Sequence, residues 1–412
     1  LLQAQHQDWR RPTAELHASG ERDLTETEGH FRPLIRQLIR KTYVQKDRKM
    51  STLVYEIISR QKEMVFAPAT PEHYILSAGT PFDTAELVSN RNWMLHFIDH
   101  TNRRVAFALM PDGVDLGAAP FVYAMQHDMA QRLVFVPFET FLTLADQLPS
   151  PSNVVFVFSI GRCGSTLLSK IFGEVPGVWG LSEPDPYSQI NHHRHDYDLN
   201  TRVDLIRATT RFLFRPPGQD VTTFVAKFRS YSTFDMEPYF LAFPNARNIF
   251  LWREPKSWAN SFYMLAQMLG SEQDRNTRAF LDFRWKVQTA EAPPALYARF
   301  DDLTLERSRD VPILVALWVA SMETYLAARD NGAPLEAFSY HQLNDNREAT
   351  VTRLLAACGL SPTHLPAALK AYERDSQEDS IISGMRNSMP LSDAQRAEIS
   401  GLLAGHPSLN LL

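Results

Sequence analysis

Gly161-Arg162-Cys163-Gly164-Ser165-Thr166 lies between an apolar run, Val154 to Phe158, and an apolar helical pattern that starts at Ser165. Two glycines let the backbone turn sharply enough for successive N–H groups to converge on one anion, and the helix N-terminus adds its positive dipole end. Ser165 and Thr166 supply hydroxyl donors and Arg162 a full charge. A Walker A loop carries Lys directly after its last glycine. Here Ser165 stands in that place and the loop holds no Lys, which disfavours ATP- or GTP-driven phosphoryl transfer. Taken alone, the loop is as compatible with a tight strand-to-helix turn that binds nothing.

A second cationic turn repeats the pattern. The run Asn248 to Trp252 ends in Arg253, a helix is expected from Ser257, and Ser261 follows Arg253 by eight residues. One guanidinium and one hydroxyl placed this way can share a phosphate. Lys227 ends the run beginning at Thr223, and a lysine at the end of a buried strand has few purely structural reasons to be there. The cluster Asn191-His192-His193-Arg194-His195-Asp196 matches no regular zinc spacing, so no metal is expected and the segment reads as a polar loop over a pocket.

In order and spacing across roughly residues 153 to 360, these segments resemble the PAPS-binding signatures of the sulfotransferase superfamily, nearest in site pattern to the protein-tyrosine and carbohydrate enzymes. The resemblance implies transfer of a sulfuryl group from PAPS (3′-phosphoadenosine 5′-phosphosulfate) to an acceptor hydroxyl or amine, releasing adenosine 3′,5′-bisphosphate. It places Gly161, Arg162, Cys163, Gly164, Ser165 and Thr166 around the 5′-phosphosulfate and Arg253 and Ser261 on the 3′-phosphate. Tyr340, at the end of the strand Ala337 to Tyr340, falls near the adenosine, although a buried core tyrosine explains it equally. Glu183 takes the place of the general base, with His192 or His193 as alternatives, and Lys227 and Arg162 neutralise developing charge. The implied acceptor is a small molecule, a glycan or a peptide. Glu254 beside Arg253 and Cys163 within the loop depart from the family pattern, and Arg386 in a late segment resembles its lid only loosely. The competing readings are a nucleotide-dependent kinase on a related P-loop fold and a non-catalytic nucleotide-binding or scaffold protein.

The elements that must position these groups follow from the apolar pattern. Beyond residue 150, continuous apolar strands alternate with helices, which argues for an α/β fold with a P-loop-type parallel sheet flanked by helices. Ligands in such sheets bind beyond the carboxyl ends of the strands. Before it, Trp93 to Asp99 and Val105 to Leu109 read as a hairpin, Phe121 to Gln131 as a helix, Leu133 to Phe138 as a strand and Phe141 to Leu148 as a helix. The expected organisation is a loose tail over 1–28, a smaller N-terminal α+β domain of unassigned role over 29–150, and the sulfotransferase domain over 151–412. Phe31, Leu34, Ile35, Leu38 and Ile39 predict an amphipathic helix. Phe262, Tyr263, Met264, Met268, Phe280, Phe283 and Trp285 line either an acceptor pocket or a helical core.

Bulk properties exclude other classes. A formal charge of −5 offers no general attraction to nucleic acid or an anionic membrane, and no apolar run reaches the length of a membrane span. Two cysteines far apart, with no Asn-x-Ser/Thr acceptor, give no disulfide framework and fit a cytoplasmic location. A chain beginning Leu1-Leu2 leaves room for a preceding leader or anchor.

Overall fold

The computed structural model describes residues 52–62, 66–218, 220–270, 311–373 and 390–404. The expected helix at Phe31 to Ile39, the late segment with Arg386, and Phe280, Phe283, Trp285 and the Met268 side chain lie outside the described residues.

Strands β1 (Leu53–Arg60), β2 (Tyr74–Leu76), β3 (Thr80–Pro81), β4 (Trp93–Asp99), β5 (Arg104–Leu109) and β6 (Arg132–Pro137) form an antiparallel sheet, ordered β2-β1-β6-β5-β4 with β3 beside β1. The sequence-predicted hairpin is β4 and β5, and Leu133 to Phe138 is β6. Helix α1 (Val122–Met129) precedes β6 and α2 (Phe138–Ala145) follows it. β1 escapes sequence reading because its inner positions are only half-buried, so no clean alternation marks it.

Strands β7 (Val154–Ser159), β8 (Val178–Ser182), β9 (Thr223–Lys227), β10 (Arg247–Trp252) and β11 (Leu335–Ser339) form a parallel sheet in the order β11-β10-β7-β9-β8. Every side chain of β7 is buried, as the unbroken apolar run requires of a strand covered on both faces. The helices between these strands include α3 (Ser165–Gly173), α4 (Asp185–His192), α5 (Leu199–Leu213), α6 (Pro255–Gly270) and α7 (Val311–Asp330), with a short one at Glu237–Ala242; α8 (Tyr340–Asp345) and α9 (Arg347–Ala357) follow β11.

The order places β7 at the centre, with β10 and β11 on one side and β9 and β8 on the other. A crevice therefore opens beyond its carboxyl end, at the point where the strand order reverses. The expected boundary at 150 falls between the two sheets. Contacts cross it: Gln189 on α4 accepts from the Ile98 N–H and donates to the Ala69 carbonyl, both at 2.7 Å. Residues 52–412 belong to one unit. Among the described residues no helix is long and apolar enough to cross a membrane.

The segment expected as a polar loop is split: His193 to Asp196 form a turn with His195 and Asp196 exposed, and its first two residues are helical. Asn191 and His192 close α4, whose residues are buried almost throughout, and the Asn191 amide oxygen accepts from the Tyr239 hydroxyl at 3.2 Å. Asn191 is packed because α4 lies against β4, as its Gln189 contact with Ile98 shows.

Candidate functional site

All five strand ends of the parallel sheet deliver residues to one cavity of about 460 Å³. β7 delivers the loop, β8 Glu183, β9 Lys227 and Arg229, β10 Arg253, and β11 Tyr340. Ser165, Thr166 and Ser261 also line it. Cys163 is the one expected cofactor contact outside the lining, since its side chain is fully buried behind the loop.

The loop has the conformation its glycines foretell. Gly161, Arg162 and Gly164 all adopt positive φ, at 71°, 51° and 86°, and Gly164 leads straight into α3. A Cβ on Gly164 would lie 2.9 Å from Tyr340 Cδ2, and one on Gly161 3.1 Å from Ser230. The Gly161 carbonyl accepts from Trp258 Nε1 at 2.9 Å, and the Arg253 carbonyl from Trp318 Nε1 at 2.8 Å. Two indoles thus satisfy acceptors that would otherwise face an anion.

Arg253 reaches this loop. Its Nη1 donates to the Arg162 carbonyl at 3.2 Å and its Nε to Ser257 Oγ at 2.9 Å, while its guanidinium stacks 4.0 Å from the Tyr340 ring centre. Arg162 Nε in turn donates to Ser261 Oγ at 3.2 Å. Each arginine thus holds a different serine of α6. Ser257 was missed by sequence reading, although its spacing of four from Arg253 is a one-turn signal. Burial, then the neighbouring Arg253 charge, pulls Arg162 down to about 10, and burial lowers Arg253 as well. Two crowded, partly desolvated guanidiniums favour an anion between them.

Glu254, beside Arg253, has a partner of its own. Its Oε2 lies 2.6 Å from His341 Nε2 and 3.5 Å from Ser257 Oγ. Burial pushes the Cys163 thiol up to about 11, so it remains a small neutral group packed against the Leu251 carbonyl at 3.4 Å.

On the other side of β7, Lys227 donates to Glu183 Oε1. Their side chains are 4% and 18% exposed. Arg229 Nε stands 3.9 Å from Glu183 Oε2, and its Nη2 donates to the buried Asp185 at 2.7 Å. Although burial opposes its charge, Tyr231 and Asp185 raise Arg229 above its ordinary value. In sequence Arg229 is a second cation two residues past Lys227. His192 and His193 do not line the cavity. Burial drops His192 to about 3 and its ring stacks on Tyr231 at 4.4 Å, while His193 stacks on His100 at 3.8 Å. Phe66, Phe121 and Tyr123, from the antiparallel layer, also line the cavity, and no local pattern announced them. Among the described residues no three His, Cys, Asp or Glu side chains gather as a metal site.

No family model matches the chain, and no curated protein does. Solved structures that it resembles include sulfotransferases. One from Alicyclobacillus acidocaldarius shares 14% identity at TM-score 0.37, over 62% of this chain and 92% of that one. A mouse sulfotransferase complexed with PAP shares 13% at 0.35, over 66% and 91%. A third, from Mycobacterium tuberculosis, shares 14% at 0.37, over 63% and 78%.

Proposed function

We propose that this cavity binds PAPS and transfers its sulfuryl group to an acceptor hydroxyl. The observation that carries the reading is the meeting of two separate strand ends: Arg253, ending β10, donates to the turn after β7, in the cavity that also holds Glu183 and Lys227. A doubly anionic nucleotide has groups that match both ends.

The chain's residues fit that donor. A Cβ would press on Tyr340 at Gly164 and crowd Ser230 at Gly161, and burial, then the neighbouring Arg253 charge, lowers Arg162. When bound, PAPS supplies the sulfuryl group and an adenosine 3′,5′-bisphosphate leaving group. The loop, Ser165, Thr166 and the α3 N-terminus hold the 5′ end, while Arg253 with Ser257 and Ser261 holds the 3′-phosphate. Glu183 accepts the acceptor's proton at a carboxylate oxygen. Lys227 and Arg162 stabilise charge that grows as the sulfuryl bond breaks. The burial of Lys227 strengthens that effect, because a desolvated cation acts in a lower local dielectric.

Titration calorimetry with adenosine 3′,5′-bisphosphate, against ATP with Mg²⁺, tests the reading. The bisphosphate is expected to bind more tightly, and Arg253→Ala to weaken it about 10–100-fold, as loss of a charged hydrogen bond does. Tighter binding of ATP would overturn it. Transfer of labelled sulfate to a panel of hydroxyl acceptors then tests turnover.

A further inference from the structure

We infer that His341 is a positioning residue for the nucleotide end of the cavity: by engaging the Glu254 carboxylate it leaves Arg253 and Ser257 to the 3′-phosphate. The inference rests on the sulfuryl-transfer reading and adds a residue that tunes its donor site. Glu254 follows Arg253 directly, and the two share a neighbour. Ser257 Oγ accepts from Arg253 Nε at 2.9 Å and has Glu254 Oε2 at 3.5 Å. A carboxylate this close repels a phosphate held by the same hydroxyl, and it offers the guanidinium an ion pair in the phosphate's place. Burial lowers Arg253, and the Glu254 charge is among those that oppose it, so the carboxylate acts on the arginine that the phosphate needs.

The sheet register brings His341 to Glu254. Trp252 on β10 and Ser339 on β11 are paired in the parallel ladder. One residue on, the Arg253 guanidinium stacks on the Tyr340 ring at 4.0 Å. Two residues on, His341 Nε2 lies 2.6 Å from Glu254 Oε2. The far side of the imidazole is held as well, since Nδ1 lies 3.2 Å from Asp345 Oδ2 one turn along α8, and Ser339 and Gln342 cap that helix reciprocally. A neutral imidazole donates to one of its two carboxylates and a protonated one to both, so either form can donate to Glu254. Removing the ring leaves the carboxylate with Ser257 and Arg253 as its nearest polar company, in competition with the nucleotide.

The test is the ratio of affinities for adenosine 3′,5′-bisphosphate and adenosine 5′-monophosphate, which differ only in the 3′-phosphate, taken by calorimetry in wild type, His341→Leu and the double variant His341→Leu with Glu254→Gln. His341→Leu is expected to cut the ratio about three- to five-fold, the upper range for a partly exposed ion pair. Adding Glu254→Gln is expected to return it to the wild-type value or above, a rescue that loss of a merely structural contact would not allow. Using the ratio cancels any general loss of folded protein. An unchanged ratio in His341→Leu, or a fall that Glu254→Gln does not reverse, would overturn the inference alone. Equal binding of the two nucleotides by wild type would instead overturn the assignment of the 3′-phosphate to Arg253, and the sulfuryl-transfer reading with it.

Discussion

Glu183 and Lys227 hold each other at two levels. The Glu183 N–H donates to the Lys227 carbonyl at 2.7 Å, and the Lys227 ammonium donates back to Glu183 Oε1. Ser182 and Lys227 are register partners on β8 and β9, and Glu183 leaves its strand at φ 57°. That left-handed turn, costly by about 1–3 kcal/mol for a residue with a Cβ, folds the carboxylate back over its neighbour's strand end. The arrangement gathers an acid and a base where solvent scarcely reaches.

Glu183→Gln keeps an acceptor for Lys227 but no longer takes a proton. Turnover is expected to fall about 10²–10⁴-fold, the usual weight of general-base catalysis, with bisphosphate affinity unchanged. Steady-state rates and calorimetry check both; equal loss in each removes Glu183 from the base role. Glu183→Ala instead leaves Lys227 buried beside a void and should cost about 3–5 kcal/mol of stability, read from urea unfolding.

Gly164→Ala meets two obstacles. The residue sits at φ 86°, and its new Cβ would press on Tyr340 at 2.9 Å. A loss of about 1–3 kcal/mol in urea unfolding and of most bisphosphate binding is expected. Adding Tyr340→Ala removes the clash but not the backbone strain, so it should restore only part of the stability. Full restoration would show that the ring alone sets the requirement.

The loop, Arg253 and Lys227 were legible in the sequence because each ends an apolar run, and a strand end is a local signal. Glu183 was legible only through a resemblance, since nothing in Leu181-Ser182-Glu183 foretells the left-handed turn that aims it. The exchange of partners between Arg162, Arg253, Ser257 and Ser261 depends on how β7 and β10 lie side by side. Phe66 and Phe121 were invisible for a stronger reason. Phe66 precedes Ala69, which is tied to α4 by the buried Asp185 and Gln189, and these read in sequence as ordinary surface polar residues. Asn191 and His192, expected in a polar loop, differ on the same point: polarity marks exposure only where nothing packs over the helix, whereas His195 and Asp196 beyond it are exposed.

The two cysteines provide a test of burial at the site. Cys163 and Cys358 are fully buried, and burial raises them to about 11 and about 12. Since the thiolate is the reacting species, neither should be alkylated by iodoacetamide at pH 8 faster than the protein unfolds. Mass spectrometry after timed quenching follows the reaction. Rapid single labelling at Cys163, suppressed by bisphosphate, would mean that the loop opens and that its packing against Leu251 is transient.

Lys62 links stability to pH through the same layer. Its Nζ is buried without a hydrogen-bond partner among the described residues, 5.3 Å from the Tyr123 ring centre. Burial lowers it from 10.5 to about 8, with Asp185 opposing and Arg229 adding to the effect. Below pH 8 the folded and unfolded chains both hold the proton, and the full cost of the buried charge is present. Between about 8 and 10.5 the folded chain releases it first, so the unfolded state binds more protons and stability from this group rises with pH, by at most about 3 kcal/mol. Urea unfolding across that window should therefore show wild type gaining on Lys62→Met, which lacks the titrating group and should be the more stable of the two at pH 7. Parallel profiles for the two proteins would mean that Lys62 reaches solvent, and that the layer behind Arg229 is looser than its buried hydrogen bonds imply.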